Sequence, residues 1–259
     1  LLRSGKIGRD LIESATQLCK PRLVLSGEIK ICLTRSAQIQ QDRKRSDWIS
    51  NTTLSEEIRL DLRFNIERQQ WSDLSSTPAA TCGQVSSVGL NENDKQAIVK
   101  KHNELRQRVA SGQEKKGNPG RQPPAVSMPD LTWDNELEKI AQRWANQCNF
   151  NHDKCRNVDR FAVGQNIAQK SSTGGNNFPV ESFVEMWYDE VDKFDKNKVS
   201  KYEFDPNTGH YTQVVWADTK KVGCGQISYK SNGWNTKYVV CNYGPSGNWI
   251  GQKIYEVKK

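Results

Sequence analysis

Imidazole is the side chain that most readily binds a metal or moves a proton near neutral pH, and this chain of 259 residues carries three of them. His210 stands in Gly209-His210-Tyr211-Thr212-Gln213-Val214-Val215-Trp216, behind a glycine and ahead of large, mostly apolar side chains. His152 lies in "CNFNHDKC", between Cys148 and Cys155. His102 sits among residues spaced as one face of a helix. Glu190 follows Trp187 by about one helical turn and adjoins Val191. A carboxylate at the edge of an inward-facing stripe is paired, near a cleft, or at the solvent margin.

His152, Glu190 and His210 are the ligand types of a divalent-cation site. They are far apart in sequence, and no HExxH-like spacing ties them together. Spacing alone therefore leaves a shared site open against ordinary surface or core histidines. Other chemistries have less support. "GPSGN" (Gly244 to Asn248) has no helix after it, so it does not form a nucleophile elbow. Cysteines held in bridges are not nucleophiles, and no glycine-rich phosphate loop is present.

Helices and a hairpin must position these groups. Asn91 is a good N-cap, with Glu92 and Asp94 in the first turn. Ile98, His102, Leu105 and Val109 then share a face, which points His102 into the core as a packed, hydrogen-bonded imidazole. Gly112 ends this helix. Asp134 caps a second, with Leu137, Ile140 and Ala141, Trp144 and Cys148 on its stripe. Pro179 starts a third, with Phe183, Val184, Trp187, Val191 and Phe194 inward. Phe161 to Ala168 reads as a buried strand. Val222 to Tyr229 and Lys237 to Tyr243 are strand-like, and Asn232-Gly233 between them is a type I′ turn signal. Counting out from that turn, Cys224 faces Cys241 at a non-hydrogen-bonded pair. There Cα atoms lie about 4.5 Å apart, within disulfide reach.

Composition narrows the class. Hydrophobic residues make up 35% and mean hydropathy is −0.81. No apolar run approaches the roughly 20 residues of a membrane span. The net charge of +8 is spread along the chain, and its longest cluster, Arg43-Lys44-Arg45, has no interleaved aromatics. Nucleic acid is thus not an expected partner. Seven cysteines without a CxxC pair, beside eight tryptophans, suit an extracellular disulfide-stapled domain. Residues 1–80 read as an atypical, poorly ordered extension, with strand patterns at 23–33 and 58–66 and a linker at "SSTPAAT". The chain begins Leu1-Leu2-Arg3, its first Met is Met128, and no signal peptide is visible in it.

"GHYTQVVWADT" and "YVVCNYGPSGNW" resemble the two signature segments of the CAP superfamily, which comprises cysteine-rich secretory proteins, antigen 5 and plant pathogenesis-related proteins. "KHNELRQRVASG", "PPAVSMPDLTWD", "IAQRWANQC", "HDKCRNVDRFAVGQNIA" and "MWYDEV" are similar to the antigen 5 venom allergens of stinging Hymenoptera, the ant form above all. The likeness covers residues 81–259. It implies an α+β fold of the CAP type, a three-layer α-β-α sandwich. It also implies a cleft tetrad of two histidines and two acids able to hold a divalent cation. Carried over by motif, the tetrad is His152, His210, Glu190 and the residue in "GQN", Gln165, where the family usually has glutamate. An amide cannot act as a general acid or base. Zinc or another divalent ion is therefore expected only as a weak ligand of His152, Glu190 and His210, with no cofactor required. Gln165, Gln213 and Tyr211 are expected to line the cleft, with Gly209 letting the chain approach its wall. The family pattern pairs Cys82 with Cys148 and Cys224 with Cys241. Cys155 normally joins a cysteine in an "NYC" segment that this chain lacks; its pairing stays open, with Cys19 and Cys32 as candidate substitute partners. The resemblance implies a secreted, monomeric, non-enzymatic protein of venom or saliva that binds a sterol, another lipid or a host target. A metal-dependent hydrolase or protease using the same cleft is the alternative.

Overall fold

The computed structural model describes residues 77–175 and 177–258. The strand patterns expected at 23–33 and 58–66, and Cys19 and Cys32, lie outside them. The described elements are β1 (Gln84–Val88), α1 (Glu92–Ala110), β2 (Thr132–Trp133), α2 (Asn135–Ala145), β3 (Gly164–Ser172), α3 (Glu181–Tyr188), α4 (Gly209–Val214), β4 (Lys221–Ser231) and β5 (Trp234–Gly244). A 3₁₀ turn at Asp189–Lys193 extends α3.

Helix starts follow their caps. Asn91 accepts from the Asp94 amide while the Asp94 carboxylate accepts from the Asn91 amide, a complete capping box. The Asp134 carboxylate accepts from the amides of Glu136 and Leu137. Ile98, His102, Leu105 and Val109 are all buried, as the stripe on α1 requires. The second stripe stops short of its expected end. Helix α2 closes at Ala145, and Cys148 sits at φ +51, a left-handed turn that takes it out of the helix.

The sheet runs β1-β4-β5-β3, with β2 pairing in parallel on β4. Asn232 and Gly233 have φ of +51 and +82, the positive values a type I′ turn needs. The register that follows places Cys224 opposite Cys241, and these cysteines are bridged with Cα atoms 4.1 Å apart. A second bridge joins Cys82 to Cys148. Strand β3 spans Gly164–Ser172, not the expected Phe161 to Ala168. Its start is set by partner β5, where Gly164 meets Tyr243, and Phe161 instead closes a small turn with Val158. Its last residues alternate polar side chains, so no apolar run marked them.

Three layers result. On one face of the sheet, Ile98 and Leu105 of α1, Phe183 and Trp187 of α3 and Val214 of α4 pack with Cys224, Val239 and Cys241 into the main core. Helix α2 covers the other face. A Cβ at Gly223 or Gly225 would overlap the α2 backbone around Asp134 to Gln142, so these two glycines let helix and strand touch main chain to main chain. Gln142 then clamps the contact, accepting from the Gln226 amide and donating to the Gln226 carbonyl, each at 2.9 Å. Among the described residues no helix is long and apolar enough to cross a membrane.

Candidate functional site

The folded chain brings the two distant histidines within electrostatic reach of each other. His210 is the second residue of α4, and the chain around it folds inward because Tyr211, Val214, Val215 and Trp216 are buried in the core. Glu190, in the turn after α3, meets the start of α4 from outside. One oxygen, Oε2, accepts from the backbone amides of His210 (2.9 Å) and Tyr211 (3.1 Å). The other, Oε1, accepts from Nδ1 of His210 at 2.7 Å. Glu190 thus satisfies amides that a helix start leaves unpaired and fixes the ring with Nε2 outward. Trp187 stacks on the His210 ring, with centroids 6.4 Å apart.

His152 is held in the same manner by a different group. Its Nδ1–H donates to Oε1 of Gln165 at 2.9 Å. The amide orientation is forced by its other end, where Nε2 donates to Oδ1 of Asp153 (3.2 Å) and Oδ1 of Asn242 (2.9 Å). Neither acceptor can donate in return. Asp153 is buried, and Arg156 pairs with it and also donates to its backbone carbonyl. Burial pushes the Asp153 carboxyl up, with Arg156 opposing. Burial pulls His152 down, partly offset by its bond to Gln165; the nearby charges of Arg156 and His210 lower it further. His152 is therefore neutral at pH 7, with its Nε2 lone pair available. Nε2 of both rings has no hydrogen-bond partner among the described residues.

The expected three-ligand set of His152, Glu190 and His210 is not assembled. Among the described residues no group of three or more His, Cys, Asp or Glu side chains stands together as a metal site. Both oxygens of Glu190 are instead bonded to the start of α4. What remains is two imidazoles, each held from behind through Nδ1, the arrangement that fixes tautomer and orientation in metal-binding histidines.

Two expected cleft residues have other work. Tyr211 is fully buried, packed edge-on against Tyr188 and tilted against Phe194. Gln213 is buried too. Its Nε2 donates to Thr219 and its Oε1 accepts from the Gly247 amide, so it braces the loop after β5. Nor does Gly209 serve close approach: a Cβ there would meet Phe204 at an ordinary 3.6 Å.

His102 is the core histidine its stripe implied. Nδ1–H donates to the Ile98 carbonyl (2.8 Å) and Nε2 accepts from the Tyr243 hydroxyl (2.9 Å). Burial lowers its pKa to about 4. The Tyr243 oxygen in turn accepts from Asn166 (3.4 Å), whose amide also donates to the His210 carbonyl (3.1 Å). A continuous buried network therefore links α1 to the main chain of His210. Asp153, Asn166, Asn242 and Tyr243 were not singled out by sequence reasoning. The signal was present: Asn166, Asn242 and Tyr243 are polar groups inside apolar strand runs, and buried polar groups need partners.

The three-layer α-β-α sandwich and its two described disulfides define the class, and the sequence agrees. The chain belongs to the CAP, or cysteine-rich secretory protein, family, whose profile matches residues 99–243. Venom allergen 3 of Solenopsis invicta is 57% identical over 190 residues, covering 71% of this chain and 81% of that protein. Venom allergen 5 of Rhynchium brunneum is 51% identical over 185 residues, covering 71% and 81%. Among solved structures, that of NaASP2 with Zn2+ is similar at a TM-score of 0.56 and 34% identity, covering 66% of this chain and 89% of that one. BmVAL-1 is similar at 0.55 and 30%, covering 66% and 85%. Two disulfides and these venom-allergen relatives agree with an extracellular setting.

Proposed function

We propose that this is a secreted venom-allergen-type binding protein, not a hydrolase, whose cleft takes a divalent cation weakly through His152 and His210. One observation carries the reading. Each group that would serve a hydrolase as general base is engaged behind a histidine: Glu190 by His210 and the start of α4, and the 165 position by an amide that cannot take a proton. The two free Nε2 atoms suit zinc, with solvent filling the other positions. That a similar protein of 34% identity was solved with Zn2+ supports a divalent cation as the ligand class here. Two protein ligands predict weak binding, and binding that fades as pH falls, because imidazole must be deprotonated to coordinate. Sterol, another lipid or a host protein is the partner class that the family likeness favours.

Calorimetric titration with zinc tests the site. Wild type is expected to bind weakly, and His152→Ala with His210→Ala to lose binding. Unchanged zinc uptake in that double variant would overturn the assignment. Peptide or ester cleavage that needs zinc and disappears in the same variant would overturn the non-enzymatic reading.

A further inference from the structure

The sheet outruns the helix that covers it. Strands β4 and β5 have 11 residues each, about 36 Å at 3.3 Å per residue. Helix α2 also has 11 residues but is only about 16 Å long at 1.5 Å per residue. Its backbone lies over Gly223 and Gly225, and among the described residues no other α-helix covers the hairpin end of that face. Side chains alternate along a strand, and the register decides which ones arrive there. Ser231 stands opposite Trp234, and Thr236 stands between Tyr229 on one side and Ser171 on the other. Gln169 is two residues before Ser171 on the same face. Thr81, next to the Cys82–Cys148 bridge, closes one side. The result is an open pocket of about 500 Å³, within the roughly 300–1,000 Å³ usual for small-molecule sites.

Its lining has a definite chemistry. No side chain in it carries a charge, so it offers no ion-pair partner to a phosphate, a carboxylate or a cation. Lipid tails need a continuous apolar wall, and here the apolar surface is broken up: the rings of Trp234 and Tyr229, the Cys148 bridge and two threonine methyls stand among polar groups. Trp234 is 50% exposed, a large ring surface left to solvent. Around it stand hydroxyls and amides, each able to donate and to accept. Ser171 and Thr236 are already linked at 2.8 Å, which holds their remaining lone pairs in place. An aromatic plane beside neutral donors and acceptors complements a molecule with an apolar C–H face and hydroxyl edges.

We propose that this pocket binds a neutral saccharide, with a pyranose ring on the face of Trp234 and its hydroxyls on Gln169, Ser171 and Thr236. The site is separate from the histidine cleft: Thr236 lies six residues along β5 from Asn242, about 20 Å at strand spacing. It does not depend on the cation reading.

The test is calorimetric and saturation-transfer NMR titration of the full chain with cellobiose, N,N′-diacetylchitobiose and methyl α-mannopyranoside. Saturable binding of at least one probe is expected. Trp234→Ala should weaken it at least about tenfold, which corresponds to 1.4 kcal/mol, and Thr236→Val should weaken it as well. Trp234 is half exposed, so its removal leaves the core intact, and Val keeps the volume of Thr236. Failure of all three sugars to bind up to their solubility overturns the proposal. So does binding that survives Trp234→Ala undiminished.

Discussion

At the scale of single residues, Gln165 has a local physical reason to be an amide. Its Nε2 faces two acceptors, Oδ1 of Asp153 and Oδ1 of Asn242, inside the protein. A carboxylate at 165 would turn an oxygen toward both. Two carboxyls so placed share a proton, and the pair titrates above the ordinary range. Gln165→Glu should therefore cost about 1–3 kcal/mol at pH 7, the penalty for an acceptor left facing acceptors. A pair with raised pKa holds its proton, and its stability, at lower pH, so the loss should shrink toward pH 5. Asp153→Asn in the same background should recover stability at pH 7, since the new amide can donate to the carboxylate. Urea denaturation of the single and double variants measures this. Equal stability of Gln165→Glu and wild type at pH 7 would show that the Asp153 contact does not fix the amide.

Elements depend on one another through groups placed where two of them meet. Arg106, on α1, is fully buried. Its guanidinium donates to the carbonyls of Val214 and Trp216 at 2.9 Å each, and to those of Pro129 and Thr219. These carbonyls close the end of α4 and the loop before α2, so one side chain on α1 satisfies acceptors from segments far away in sequence. Arg106→Met keeps much of the apolar stem but orphans those carbonyls. It should cost about 3 kcal/mol or more and loosen the His210 segment. Chemical denaturation gives the first quantity, and faster amide hydrogen exchange at Val214 to Thr219 gives the second. A loss below about 1 kcal/mol would mean that water replaces the guanidinium without difficulty.

Acid stability belongs to the whole molecule. His102 falls to about 4 in the folded state from an ordinary 6.5. Between those values the unfolded chain binds more protons, so stability is complete above pH 6.5 and declines as pH falls toward 4. The full shift is on the order of 3 kcal/mol. His152, also lowered by burial, acts in the same direction. Asp153, raised by burial, acts oppositely, because folding there favours the protonated form. The histidines should dominate, and the urea midpoint should drop between pH 6.5 and pH 4.5. His102→Gln, with nothing to titrate at that position, should lose less over the same interval. A midpoint that is flat or rising on acidification in the wild type would contradict the buried, neutral His102.

What the sequence determined by itself is what short-range physics controls. The Asn91 and Asp134 caps, the buried face of α1 and the Asn232-Gly233 turn each depend on neighbours a few residues away. The Cys224–Cys241 pairing followed from the same turn, because a two-residue loop sets the register of both strands. His152, His210 and Glu190 were recognisable as a set through motif likeness, though their spacing gave no reason to join them. Only the tertiary structure decided their roles. Glu190 became a positioning group because the start of α4 landed on it. Tyr211 packs its ring against Tyr188 and Phe194 in the core, where burial removes apolar surface from water. Asp153 gained its importance from Gln165, 12 residues away in sequence but within 3.2 Å in space. A hydrogen bond needs a partner within about 3 Å. No local pattern specifies which distant residue the folded chain will bring that close.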